Sequence, residues 1–177
     1  PITGVVSVSA LGAQNIDFET RNQYGLIITV DDQQNPPLSD TGALNITITN
    51  VDEAPLIASR TVTLAEDASQ GDVVTDINDG NTGTDLDVDG TALSYQFVGG
   101  HGDGYFFIDG DTGVITVTVA GQAGIDFETR NEYVLRVAAT DNTVSAVANV
   151  TVQITNVNEA PTLANQAVSL AENSAEG

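Results

Sequence analysis

Residues 125–131 read Ile-Asp-Phe-Glu-Thr-Arg-Asn, and residues 16–22 read the same seven in the same order. The copies begin at Ile16 and Ile125, an offset of 109. Outward from them the duplication continues. Asn50-Val51-Asp52-Glu53-Ala54-Pro55 answers to Asn156-Val157-Asn158-Glu159-Ala160-Pro161, and Leu64-Ala65-Glu66-Asp67 to Leu170-Ala171-Glu172-Asn173, both 106 apart. The three-residue difference falls between Asp32 and Asn45, where the first copy carries the extra turn Gln33-Gln34-Asn35-Pro36-Pro37. Proline and asparagine mark a loop, where insertions cost little.

A period of about 106 residues is that of a whole β-sandwich and not of a solenoid turn. The phase predicts the last half of one repeat over 1–52, a complete repeat over 53–158 and the first strand of another over 159–177. Alternation predicts seven strands in the complete repeat: 61–65, 72–77, 93–98, 105–108, 114–119, 133–139 and 144–154. The expected fold is all-β, a Greek-key sandwich, with no helix required.

Composition narrows function. The chain has 177 residues, 25 Asp and Glu against four Arg and no Lys, and a formal net charge of −21. Such a chain cannot neutralise a phosphate backbone, so nucleic acid is excluded as a partner. Without Cys there is no disulfide, thiolate nucleophile or zinc–cysteine site, and one His leaves no multi-His metal site. Yet 41% of the residues are apolar, which is normal for a globular chain and too high for an acidic disordered tail. No apolar run approaches the roughly 20 residues that span a bilayer. Both ends read as cut from something longer.

The acidic residues recur in short motifs. Glu66 follows the first strand. Asp126 and Glu128, with their mates Asp17 and Glu19, precede the sixth. Asn156, Asn158 and Glu159, with Asn50, Asp52 and Glu53, form the linkers. Asp85, Asp87 and Asp89 lie between strands two and three. A sandwich collects its loops at two ends, so stacked repeats would gather these groups at each junction. Like charges there repel, by about 1 kcal/mol per pair at about 4 Å even in water. A hard divalent cation with oxygen ligands, calcium, converts that repulsion into a cross-link. Two sharper readings are weaker. Asp85–Gly90 opens like an EF-hand loop, but position twelve is Gln96 and the flanks are strands. Asp126 with Glu128 could be a glycosidase pair, but its repetition at Asp17 and Glu19 would need a second active site in a half-repeat. No nucleophile–base constellation exists, so no enzyme is expected.

These motifs, in this order, resemble tandem cadherin repeats of the bacterial, cadherin-like kind. Tyr105–Ile115 is similar to the family's F-x-I-D-x-x-T-G-x-I, and Ile125–Glu128 followed by Tyr133–Asp141 to its L-D-x-E and Y-x-L-x-V-x-A-x-D. The linkers are similar to its D-x-N-D-N-x-P in shortened form, and Asp85-Leu86-Asp87 to its D-x-D. The resemblance implies an immunoglobulin-like sandwich and calcium ligands by motif. They are Glu66, Asp126, Glu128, Asn156, Asn158 and Glu159 at the second junction. At the first they are Asp17, Glu19, Asn50, Asp52 and Glu53, completed by Asp85, Asp87 and Asp141. Asn50 stands where the family usually has Asp. It further implies an extracellular, secreted or surface adhesin whose calcium rigidifies a stalk, with adjacent repeats of the same chain as partners. The alternative is a module that binds polysaccharide, another cell-surface ligand or its own kind. Finally, residues 1–52 would bare an apolar face that includes Val6, Val8, Leu26, Ile28, Ile46 and Ile48, open to association with another copy.

Overall fold

A computed structural model describes residues 4–78, 87–141 and 143–175. In chain order its elements are α1 (Ala10–Asn15), β1 (Gln23–Asp31), β2 (Ser39–Thr47), β3 (Arg60–Ala65), β4 (Val73–Asp76), β5 (Ser94–Gly99), β6 (Phe106–Ile108), β7 (Val114–Val117), α2 (Val119–Gly124), β8 (Glu132–Thr140) and β9 (Ser145–Thr155). The seven strands from β3 to β9 form two sheets, ordered β3-β9-β8-β5 and β4-β7-β6. β3 runs parallel to β9, and the other pairs are antiparallel. This is an all-β, immunoglobulin-like sandwich.

Its core follows from period-two alternation. Along β8 every second side chain points inward, giving Tyr133, Leu135 and Val137. Ala148, Val150, Val152 and Ile154 do the same along β9. Ile115 and Val117 of β7 and Phe106 of β6 close the opposite layer. Each fully buried Leu, Ile or Val contributes about 1.5–3 kcal/mol, enough to fix the register against a one-residue slip. Gly100 follows β5 with φ 76°, and a Cβ there would lie 1.8 Å from the Val134 carbonyl oxygen. Only glycine lets the chain pass so close to β8.

The expected fifth strand ends early, at Val117. Val119 begins α2, is exposed and is not a strand residue. The helix exists because Thr118 caps it, its Oγ1 accepting from Gly121 N at 3.0 Å and donating to Gly104 O at 2.6 Å. Gly121 is needed as well, since a Cβ there would sit 2.3 Å from Tyr105 O. Six residues with two glycines carry too little helical signal for periodicity to register. Ser9 caps α1 in the same way, accepting from Gly12 N at 3.0 Å, so the first copy repeats the device.

Among the described residues the first copy contributes two strands. β1 pairs with β2 from Gln23↔Thr47 to Asp31↔Ser39, while Val5, Val6 and Val8 lie outside any strand and are exposed. Residues 166–171 likewise form no strand, with Val168 and Leu170 exposed. A strand needs a neighbour to satisfy its backbone, and neither segment has one here. The duplication is visible at side-chain level too. Arg21 lies 4.3 Å from the Tyr24 ring centre and Arg130 lies 4.2 Å from that of Tyr133. Their Nε atoms donate to Gln23 O at 2.9 Å and to Glu132 O at 2.8 Å.

Candidate metal centre

Among the described residues two groups of carboxylates form, one at each linker. At the second, Glu66 leaves the end of β3 and is only 9% exposed. Its Oε2 accepts from Phe127 N at 2.8 Å and its Oε1 from Val157 N at 2.6 Å. Those two N–H groups hold its pKa below the ordinary value. Carboxylate oxygens of Glu66, Asp126 and Glu128 lie within 4.8 Å of one another. Asn156 donates its side-chain amide to Glu128 Oε1. Glu159 is raised, by lost hydration and then by Glu66 and Glu128. Asp126 caps its own turn through Thr129 N at 2.9 Å, and Asn158 lies exposed in the linker.

The first group spans the linker between the two copies. Glu19, Glu53 and Asp89 bring carboxylate oxygens within 4.8 Å of one another. Asp89 accepts from Asn50 Nδ2 at 2.7 Å and from Glu53 N at 2.9 Å, and these donors lower its pKa. Thr143 Oγ1 is shared between Asp52 and Asp141. A hydroxyl has one proton and cannot satisfy both at once. Asp141 Oδ1 also accepts from Thr143 N and Val144 N, each at 2.8 Å. Those two N–H groups, Val144 first, hold Asp141 low.

Around this knot the charges crowd. Glu19, Asp52 and Glu53 are all raised, first by lost hydration. After it comes repulsion by Asp141, Asp89 and Asp87 for Asp52, by Asp89, Asp17 and Asp52 for Glu53, and by Glu53 for Glu19. Asp17 turns onto its own loop, accepting from Glu19 N at 3.0 Å and Thr20 N at 3.1 Å, and is lowered mainly by Thr20. Asp85 lies outside the described residues.

Oxygen donors alone, most of them carboxylates, suit a hard cation. Ligands at about 2.3–2.6 Å stand at most about 5 Å from one another across the ion, which the spacing within each triad meets. Asp87 Oδ2 and Asp141 Oδ2 are buried with no hydrogen-bond partner, and Asp141 is 3% exposed. A buried carboxylate oxygen without a donor is costly, and a cation removes that cost. The donor set fits calcium.

Two participants lie outside the ligand set that the resemblance implies, although Asp89 is among the acidic residues that the sequence gathers at the junction. Asp89 sits two residues beyond the Asp85–Asp87 pair, and Thr143 two beyond Asp141. The alternating Asp85-Leu86-Asp87-Val88-Asp89 run signals the first, and the Asp-x-Thr turn signature signals the second.

Residues 60–155 match the cadherin domain. The chain belongs to the cadherin family. It is 33% identical over 132 residues to protocadherin Fat 4 of Mus musculus, covering 72% of this chain and 2% of that protein. Over 157 residues it is 31% identical to cadherin EGF LAG seven-pass G-type receptor 3 of Homo sapiens, covering 85% of this chain and 4% of the relative. Among solved structures, the extracellular cadherin domains 1–5 of protocadherin gamma B2 superpose with a TM-score of 0.60 at 28% identity, covering 81% of this chain and 27% of theirs. The chain thus spans a small fraction of the relatives it matches. Among the described residues no helix is long and apolar enough to cross a membrane.

Proposed function

We propose that this cadherin segment is a non-catalytic, calcium-binding adhesion module whose ions stiffen the joints between successive repeats. In this reading 1–52 is the C-terminal half of one repeat, 53–158 a complete repeat and 159–177 the first strand of the next. Glu66, Asp126, Glu128, Asn156, Asn158 and Glu159 serve one joint. Asp17, Glu19, Asn50, Asp52, Glu53, Asp85, Asp87 and Asp141 serve the other. One observation carries the reading: carboxylates from both sides of the first linker converge while Asp87 and Asp141 bury oxygens that nothing donates to. Calcium, when bound, supplies positive charge and shared coordination. The protein supplies the sandwich of the complete repeat and a carboxylate-bearing linker at each end of it.

The parent protein would be extracellular, secreted or held at the cell surface, with adjacent repeats of the same chain as its first partners. Its placement in a bacterial adhesin rests on the linker form Asn-Val-Asx-Glu-Ala-Pro; the relatives above are animal proteins. Homophilic contact is the second reading. It is favoured by the apolar face that Leu26, Leu44 and Ile46 turn toward Val6, Val8 and Leu11 across an open groove. Polysaccharide binding has less behind it, since of nine aromatic residues only Phe107 is exposed.

Calorimetric titration with calcium, paired with solution scattering and thermal melting in calcium or chelator, tests the proposal. Calcium is expected to bind, raise the melting temperature and extend the scattering profile. Unchanged melting and radius would overturn it.

A further inference from the structure

We infer that Arg130 is a positioning residue for the second joint, clamping the turn that carries Asp126 and Glu128 without touching their carboxylates. The inference rests on the calcium reading above and concerns a residue that is not itself a ligand.

The turn needs an anchor that is not a carboxylate. Oxygens of Glu66, Asp126 and Glu128 stand within 4.8 Å of one another, and like charges so close push the loop apart when no cation is bound. Arg130 closes the turn at its downstream end. Its backbone N–H donates to Asp126 O at 2.9 Å, so Phe127, Glu128 and Thr129 lie within one closed loop. Its side chain then reaches the sandwich. Nε donates to Glu132 O at 2.8 Å, and the guanidinium carbon lies 4.2 Å from the Tyr133 ring centre. That ring is a fixed base. Tyr133 is 2% exposed and meets Tyr105 and Phe106 edge-on, with ring centres 5.9 and 5.4 Å away.

The charge of Arg130 is directed away from the candidate ligands. Its Nη1 pairs with Asp103 Oδ2 at 2.8 Å, in the loop between β5 and β6. A guanidinium on Asp126 or Glu128 would occupy the oxygens that a cation needs; here it leaves them open. The pair with Asp103 is half-exposed and contributes little by itself in water. The hold therefore lies in the Nε bond and the ring.

The first copy repeats the arrangement. Arg21 N donates to Asp17 O at 2.9 Å and Arg21 Nε to Gln23 O at 2.9 Å, and the guanidinium carbon lies 4.3 Å from the Tyr24 ring centre. The chain has four arginines and no lysine, and two of the four take this place, each two residues after an Asp-x-Glu pair. Arginine suits it because a lysine has neither the Nε–H nor the planar face that stacks on the ring. A cation so scarce in this chain is set beside both ligand turns and kept off the ligands.

The test uses the whole chain with calcium as the probe. Wild type, Arg130→Gln, Arg130→Lys and Arg21→Gln are titrated, and backbone amide NMR signals read each joint separately. Phe127 and Val157 report the second joint, Glu53 and Thr143 the first. Arg130→Gln and Arg130→Lys are each expected to weaken calcium at the second joint about tenfold and to leave the first within about twofold. Arg21→Gln is expected to do the reverse. In chelator the amide of residue 130 is expected to exchange faster in both Arg130 variants, while dispersion across 60–155 is retained. Affinity at the second joint that is unchanged in Arg130→Gln, or fully kept by Arg130→Lys, overturns the inference and leaves the calcium reading standing. An equal loss at both joints from one substitution also overturns it, since a clamp acts on its own turn. So does loss of dispersion in the Arg130 variants, which would make the residue a strut of the sandwich instead. A wild type with no calcium-induced shift at either joint overturns the calcium reading and the inference together.

Discussion

The backbone N–H of Val157 donates to Glu66 Oε1 at 2.6 Å, tying the segment after β9 to the end of β3. With Phe127 N on Oε2 at 2.8 Å, one carboxylate joins three of the recurring motifs. Its neighbours Asp126 and Glu128 are then presented on a fixed frame. Replacing Glu66 with Gln leaves one acceptor oxygen and sets an NH2 against an N–H donor. Glu66→Gln is expected to keep the fold of 60–155 and to lower calcium affinity at this joint about tenfold or more. The Phe127 and Val157 amides are expected to exchange faster. Calorimetry and hydrogen exchange read both effects; normal protection of both amides would show that Glu66 does not order the linker.

Gly100 makes a purely structural prediction. Its φ of 76° costs roughly 1–2 kcal/mol for a residue with a Cβ. The contact at 1.8 Å with Val134 O adds to this, because the obstacle is backbone. Gly100→Ala is expected to destabilise the repeat by more than about 2 kcal/mol in urea denaturation at fixed calcium. Gly102→Ala meets nothing within 4 Å and is expected to change stability by less than about 0.5 kcal/mol. Equal behaviour of the two variants would contradict the close approach to β8.

The sandwich was legible because its signals are local and repeated. Tyr133, Leu135 and Val137 alternate, Val150, Val152 and Ile154 alternate, and both sets are buried as alternation requires. The duplication marked the linkers, and the structure brings the carboxylates of Glu66, Asp126 and Glu128 together as the motif order suggested. What escaped depends on contacts remote in sequence. α2 rests on a Thr118 cap and on Gly121 lying under Tyr105, neither visible as a period. Thr143 gains its place only when the upstream linker reaches it, 91 residues away from its partner Asp52.

Asp109 gives a pH signature free of the candidate calcium ligands. Its Oδ1 accepts from Thr112 N at 2.8 Å, Thr112 Oγ1 at 2.9 Å and Asp111 N at 3.1 Å. These donors, Thr112 first, pull its pKa below the ordinary 3.8. A carboxyl lowered by folding contributes stability that is fully present above its unfolded value and is lost as pH falls through the folded one. Wild type is therefore expected to melt above Asp109→Asn at neutral pH in chelator, and the gap to close as pH falls below about 4. The comparison cancels the titration of every other group. A gap that persists undiminished at about pH 2 would show that the charge on Asp109 does not hold the turn between β6 and β7.

The open face of β1 and β2 carries the last prediction. Leu26 and Ile28 are 40% and 45% exposed, while their counterparts on β8, Leu135 and Val137, are fully buried. In the complete repeat β3 lies parallel along β9, with Val62 beside Val152 and Leu64 beside Ile154. The repeat correspondence maps Val62 and Leu64 to Val168 and Leu170, which are 86% and 81% exposed. It maps Val152 and Ile154 to Ile46 and Ile48. A second copy could therefore lay 166–171 along β2 in the register that β3 uses, burying apolar surface at about 25 cal/mol per Å2. Leu26→Glu and Leu170→Glu are each expected to weaken self-association in sedimentation at least about tenfold. Neither is expected to shift the melting of residues 60–155. A chain that stays monomeric at every concentration, or one whose association ignores both substitutions, would exclude this face as the contact.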